Sequence, residues 1–153
     1  METSMHTELY FRMARLLESD CINYSVFLRV YSGGAPPGLP TAQAIAAILG
    51  AECIVSDVCN LDAGQMEAVL RNNLAYAGNA GAGPGTATLA SLQFRQLLDA
   101  IIEDCRAKHA RSRVAGSFTI ADDGHPAYPV FWDFNLFFCD ADSYTLVVGS
   151  SSD

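Results

Sequence analysis

The chain has 153 residues, with 17 acidic and 9 basic side chains, and its formal net charge at pH 7 is −8. Hydrophobic residues make up 50% of the sequence and charged residues 17%. This composition excludes an intrinsically disordered protein, because disorder requires low hydrophobicity and high charge. The negative charge argues against direct binding to nucleic acid or to an anionic membrane surface, and it favours a basic protein partner.

The low charged fraction also favours a homodimer, because it leaves apolar surface to be covered by a second copy. Five scattered cysteines form no Cys-x-x-Cys pair, which is typical of reduced thiols in a protein core. The first residues carry an acid where a secretory signal has basic residues, and no apolar run is long enough to span a bilayer. We therefore expect a cytoplasmic protein without membrane contact.

The N-terminal third of the chain is predicted to form two helices around one strand. Apolar residues at helical spacing predict an amphipathic helix over residues 7–18, and alternation with a period of two predicts a half-buried strand over 22–30. The proline- and glycine-rich segment 32–40 is incompatible with regular structure. A short helix is predicted at 41–49.

The middle of the chain is predicted to contain a strand, two helices and a second glycine-rich loop. A strand at 52–58 precedes a helix at 63–74, whose first residues have the spacing of a capping box. The loop at 77–88 is rich in glycine and alanine and is predicted to be mobile. The longest helix is predicted at about 90–109.

The C-terminal part is predicted to form a three-stranded meander at about 114–121, 129–139 and 143–149. No internal repeat or shift of composition marks a domain boundary. The sequence therefore predicts a single α+β domain over residues 1–153, in which amphipathic helices pack on a mainly antiparallel sheet that ends in this meander.

The central strand of the meander carries aromatic residues on both of its predicted faces. The face interpreted as core contains Val130, Trp132, Phe134, Leu136 and Phe138, continued on the flanking strands by Phe118, Ile120, Tyr144, Leu146 and Val148. The opposite face contains Phe131, Asp133, Asn135 and Phe137. Residues 114–153 also include six aspartates and no lysine or arginine.

Aromatic anchors combined with steering carboxylates are typical of a protein-docking surface. We therefore predict that the outward face of the meander binds a partner. The predicted partner-binding residues are Asp122, Asp123, Tyr128, Phe131, Asp133, Asn135, Phe137, Asp140 and Asp142. The alternative is that helices cover both faces of the sheet and the acids only solubilise its edges.

Signals for catalysis or ligand binding are weak. Both glycine-rich segments precede a helix, where phosphates bind, but neither has the Gly-Lys-Ser/Thr ending of a nucleotide loop. Cys105 and His109 have the spacing of two metal ligands on one helix face, without a second clustered pair. His125 lies in a turn, where it is either a solvated residue or a general base. We predict no catalytic residue, metal or cofactor.

Small size and acidity favour a non-enzymatic inhibitor that occludes a basic partner such as a nuclease toxin, in the manner of bacterial immunity or anti-defence proteins. Its carboxylates would take the place of the phosphates that such a partner binds. Two alternatives stay open. One is a small enzyme with a pocket near the glycine-rich loops, and the other is a dimeric chaperone or adaptor for a secreted effector.

Overall fold

The computed structural model describes residues 2–34, 36–50, 52–79, 81–141 and 143–153, with side chains from residue 7 onward. The helices are α1 (Glu2–Glu18), α2 (Thr41–Leu49), α3 (Ala63–Leu74), α4 (Thr86–Leu89) and α5 (Leu92–Arg111). The strands are β1 (Ser25–Gly34), β2 (Val55–Asn60), β3 (Val114–Ile120), β4 (Trp132–Asp140) and β5 (Ser143–Ser152).

The five strands form one antiparallel sheet in the order β1-β5-β4-β3-β2. β3, β4 and β5 are neighbours, which confirms the predicted α+β fold with a C-terminal meander. β1 and β2 are the two edges of the sheet. Within the described residues, none of the helices combines the length and the apolar character needed to cross a membrane.

Local sequence signals set the helix ends. α3 has its predicted bounds and begins at a capping box, in which the Gln65 N–H donates to Asp62 Oδ1 at 2.8 Å and the Asp62 N–H donates to Gln65 Oε1 at 2.9 Å. α2 ends at Gly50, whose φ of 133° favours glycine. α5 begins after Ser91, whose hydroxyl oxygen accepts the Phe94 N–H at 3.1 Å.

Helices cover both faces of the sheet. α1, α3 and α5 pack on one face, here called the helical face, against Trp132, Phe134 and Leu136 of β4. α2 packs on the other, here called the second face, through buried Ala44 and Ile45. Of the two arrangements considered from the sequence, the protein therefore adopts the one in which helices cover both faces of the sheet.

The register of the strands places the predicted core residues of β4 and those of the flanking strands on opposite faces of the sheet. We predicted that five residues of the flanking strands lie on the same face as Trp132, and this prediction is wrong, because all five belong to the cluster of the second face: Phe118, Ile120, Tyr144, Leu146 and Val148. β4 pairs with β5 so that Phe137 lies opposite Leu146, which places Leu146 on the second face. Because side chains alternate with a period of two, a register error of one residue moves a whole strand to the opposite face.

Candidate functional site

The nine residues predicted to bind a partner do not form one surface. Asp122, Asp123 and Tyr128 lie in the exposed loop between β3 and β4, and Asp133 lies at the start of β4. Asp140 lies at the other end of the same strand. Asp142 lies outside the described residues.

Phe137 and Asn135 are buried, so the prediction that they lie on an exposed docking face is wrong. Phe137 is 0% exposed and belongs to the core cluster beneath α2, with its ring centroid 6.4 Å from that of Tyr144. Asn135 is 4% exposed, and its Nδ2 donates to the Phe118 carbonyl at 3.1 Å. Both residues support the fold and have no surface to offer a partner.

Phe131 is half-buried and packs on the helical face instead of pointing outward. Its ring centroid lies 5.9 Å from those of both Tyr24 and Tyr76. The cause is an irregularity just before β4, where the N–H groups of Val130 and Phe131 both donate to the Ser151 carbonyl, at 2.8 and 3.2 Å. Two consecutive donors on one acceptor interrupt the alternation of side chains, as in a β-bulge.

The same irregularity exposes Val130, which we predicted in the core and which is 49% exposed. Tyr128, in the same loop, is 65% exposed. Asp122 and Asp123 of the same loop and Asp133 at the start of β4 are also exposed. The loop between β3 and β4 therefore combines exposed apolar and acidic groups, although two of the predicted residues lie in the core.

The opposite end of β4 has mixed charge. A small cavity of about 150 Å³ near Asp140 is lined by Lys108 and Arg111 as well as by Ser112, Ser143 and Thr145. Because cations and an acid share this cavity, it does not extend the acidic surface. Asp140 is therefore separate from the other predicted carboxylates in both position and charge environment.

A cleft lies beside the acidic loop, with residues 49, 50, 52 and 53 on one side and residues 124–126 on the other. Its volume is about 540 Å³, and it is lined by Leu49, Gly50, Glu52, Cys53, Gly124, His125 and Pro126. This volume is within the range of small-ligand sites, roughly 300–1,000 Å³.

Two hydrogen bonds and one close backbone approach join the two segments that form the cleft. The Ala121 N–H donates to the Ile54 carbonyl at 3.0 Å, and the Cys53 thiol donates to the Gly124 carbonyl at 3.3 Å. Gly124 has a φ of 87°, and a Cβ at this position would lie 2.0 Å from the Glu52 carbonyl oxygen. Only glycine therefore allows this close approach.

Four carboxylates belong to the cleft or to the segments next to it: one lines the cleft, and the others lie just before Gly124 or at the start of β4. We call Glu52, Asp122, Asp123 and Asp133 the acidic rim. All four are exposed, and none forms an ion pair within the described part of the chain. They belong to two stretches of sequence, residues 30–70 and 114–153, that contain no lysine or arginine. The rim is therefore not neutralised by cations of its own segments.

His125 contributes no positive charge to the rim at neutral pH. Its Nδ1 accepts the Ala127 N–H at 2.9 Å, so the neutral ring carries its hydrogen on Nε2. Nε2 is buried and has no hydrogen-bond partner in the described structure. Burial lowers the pKa of His125, and the charges of Asp133 and Asp122 oppose this shift only in part. The ring is therefore neutral at pH 7.

Replacing His125 with glutamine should weaken the pH dependence of stability. The pKa of His125 is lower in the folded protein than in the unfolded chain, so the unfolded chain binds the proton more tightly. The contribution of the neutral ring to stability is therefore complete above the ordinary pKa of histidine and is lost as the pH falls through the folded-state pKa. The urea midpoint of the wild type should therefore fall more between about pH 7 and about pH 5 than that of the variant. Equal changes in the two midpoints would show that His125 is not the responsible group.

The described residues of the loop at 77–88, which are all but residue 80, do not have the geometry of a phosphate site. The N–H groups of Gly81 and Ala82 donate to Asn79 Oδ1 at 2.8 and 3.1 Å, and Gly83 exchanges two backbone hydrogen bonds with Ile22. These donors are therefore occupied within the protein. The loop also contains the start of α4, which the sequence pattern did not predict.

The other ligand candidates also have structural roles. Gly33 and Gly34 of the first glycine-rich segment belong to β1. Burial raises the pKa of Cys105 to about 12, and His109 Nε2 lies 2.9 Å from the Leu61 carbonyl oxygen. No group of three or more potential metal ligands occurs among the described residues.

Comparison with protein-family models, with curated protein sequences and with solved structures finds no match to this chain. The site must therefore be interpreted from its own geometry. Sequence patterns identified the acidic loop but did not predict that Glu52 and its neighbours form a cleft with that loop. The contact that joins them, between Cys53 and Gly124, links residues 71 positions apart, and such a contact leaves no local sequence pattern. The Asp123-Gly124 turn was the only local signal near this contact.

Proposed function

We propose that this protein binds a basic protein partner through the cleft and the acidic rim, and that it inhibits that partner by occlusion. The observation that carries the proposal is a rim of four exposed carboxylates that form no ion pair with any described residue, in sequence segments that contain no lysine or arginine. A nuclease or another nucleic-acid enzyme fits this surface, because its binding groove is basic and accepts phosphates. The carboxylates would occupy the positions of those phosphates.

The rim and the exposed apolar residues have different roles in this proposal. Carboxylates steer a basic partner and raise its association rate more than they lower the dissociation rate. Tyr128 and Val130 supply apolar contact, since tyrosine is one of the residue types enriched at the centres of interfaces. The cleft between Leu49 and Pro126 has room for a lysine or arginine side chain, with Glu52 beside it.

Charge reversal of Asp122 and Asp123 to arginine should abolish most capture of the partner from a lysate of the native host. Placing like charges against a basic surface costs several kcal/mol, so the amount captured by the tagged variant should fall by about tenfold or more. The readout is quantitative mass spectrometry of the captured proteins.

The matched control reverses Glu8 and Glu103, two exposed acids on α1 and α5. It changes the net charge by the same amount on the helical side of the molecule, and it should leave capture unchanged. Equal losses for both variants would show that only net charge matters, and unchanged capture by the rim variant would show that the partner binds elsewhere. Circular dichroism of both variants verifies that they are folded.

One observation favours a small enzyme as the second candidate, since Cys53 and His125 both line the cleft. However, burial and the neighbouring Glu52 raise the pKa of Cys53, and a nucleophilic cysteine requires the thiolate. The thiol also donates to the Gly124 carbonyl. The cleft therefore fits an inhibitor better than a cysteine hydrolase.

A further inference from the structure

The two edges of the sheet differ in how they are protected from other strands. β2 has only six residues, its register shifts between Ser56 and Cys59, and Asp57 has a φ of 51°. Short length, an irregular register and a charge are the usual features that block pairing at an edge. β1 has ten residues in continuous register with β5, contains no proline, and has Arg29 as its only charged residue. It therefore lacks the short length and the irregular register that protect β2.

The outward backbone groups of β1 can be identified from one hydrogen bond. The Val26 N–H donates to Glu18 Oε2 at 3.2 Å, so the even-numbered residues of β1 direct their backbone groups away from β5. Beyond Val26, the outward residues include Leu28, Val30 and Ser32. Their N–H and C=O groups form no hydrogen bond within the described residues, because β1 pairs on one side only.

We propose that β1 pairs with β1 of a second copy in an antiparallel arrangement centred on Val30, joining the two sheets into one. An extended strand is the complement that this row of alternating donors and acceptors requires. Pairing about Val30 places Arg29 opposite Tyr31 of the second copy, so that the two arginines are not directly opposite each other. Phe27 then lies opposite Gly33, and Leu28 lies opposite Ser32.

The charge distribution allows a second copy to occupy this edge, because β1 itself contains no acid. Each chain has a net charge of −8, so a dimer forms best where acids stay apart. The first residue of β1 pairs with Ser152, and the adjacent Ser151 pairs with Trp132. The start of β1 and the start of β4 therefore lie at the same end of the sheet, which is the end that holds the acidic rim. In an antiparallel pair the two rims therefore lie at opposite ends of the joined sheet. Both clefts stay open, so the interface is independent of the proposed inhibitory site.

Ser32→Pro tests this interface with little change to the monomer. Ser32 is exposed, and its N–H points outward, so proline removes a donor between the copies without removing one that pairs with β5. Because the dimer is two-fold symmetric, the substitution removes one hydrogen bond at each of two equivalent positions in the interface. Sedimentation velocity over a range of concentrations should show dimers for the wild type and self-association about tenfold weaker for the variant.

Hydrogen exchange of the wild type gives a second readout that needs no substitution. The amides of Leu28, Val30 and Ser32 should become protected as the protein concentration rises. A wild type that stays monomeric, or a dimer in which these amides stay unprotected, would overturn the proposal. Protection that appears only when the captured partner is added would show that another protein occupies the edge, and this too would overturn it.

Discussion

Replacing Phe137 with alanine should lower the free energy of unfolding by about 3–5 kcal/mol, because the ring is fully buried beneath α2 and its removal leaves a cavity. Urea denaturation followed by the fluorescence of Trp132 measures this change. The effect should appear as a lower denaturation midpoint with an unchanged slope.

Tyr128→Ala is the matched control for Phe137→Ala. Both residues were predicted as aromatic anchors for a partner, but Tyr128 is 65% exposed. Its removal should change the free energy of unfolding by no more than about 0.5 kcal/mol and should instead reduce capture of the partner. If Phe137→Ala left stability unchanged and reduced capture, the placement of Phe137 in the core would be wrong.

Replacing Lys108 with methionine should lower the free energy of unfolding by about 3–5 kcal/mol. The Lys108 ammonium donates to Asp104 Oδ2, and these side chains are only 8% and 7% exposed. The variant removes the Lys108 cation from the buried Asp104 carboxylate, and breaking a buried ion pair by removing one partner is strongly destabilising. The Tyr10 hydroxyl, which donates to the same oxygen at 2.8 Å, stays protonated because burial raises its pKa well above the ordinary value. A neutral donor does not replace the lost charge.

The double variant Asp104→Leu, Lys108→Met separates the buried charge from the lost packing. Replacing a buried ion pair by apolar side chains of similar volume is often neutral or stabilising. Thermal unfolding should therefore place the double variant well above Lys108→Met and close to the wild type. A double variant as unstable as the single one would show that loss of the ion pair itself, and not burial of the remaining Asp104 carboxylate, accounts for the lower stability.

Local sequence signals predicted the parts of the fold whose causes are local. The bounds of α2 and α3 were predicted correctly, because apolar spacing and a capping box or a terminal glycine lie within a few residues of each helix end. The alternation of β4 was also visible, and its core face at Trp132, Phe134 and Leu136 is confirmed. These patterns do not show which helix covers which face.

The errors at the site have a common origin in contacts between distant segments. Phe137 and Asp133 have the same parity along β4, yet only Phe137 lies beneath α2, a helix far from it in sequence. Phe131 left its predicted face because two amides share the Ser151 carbonyl. By contrast, the exposure of Asp122 and Asp123 follows from an Asp-Gly turn, which is a local signal.

The ionic-strength dependence of the association rate tests the proposed role of the acidic rim most directly. The partner captured by the wild type would be purified, and its association and dissociation would be followed by surface plasmon resonance from about 50 to about 500 mM salt. We expect the association rate to fall by about tenfold or more over this range while the dissociation rate changes little. An association rate that does not vary with salt would contradict electrostatic steering by the rim and, with it, the proposed mode of inhibition.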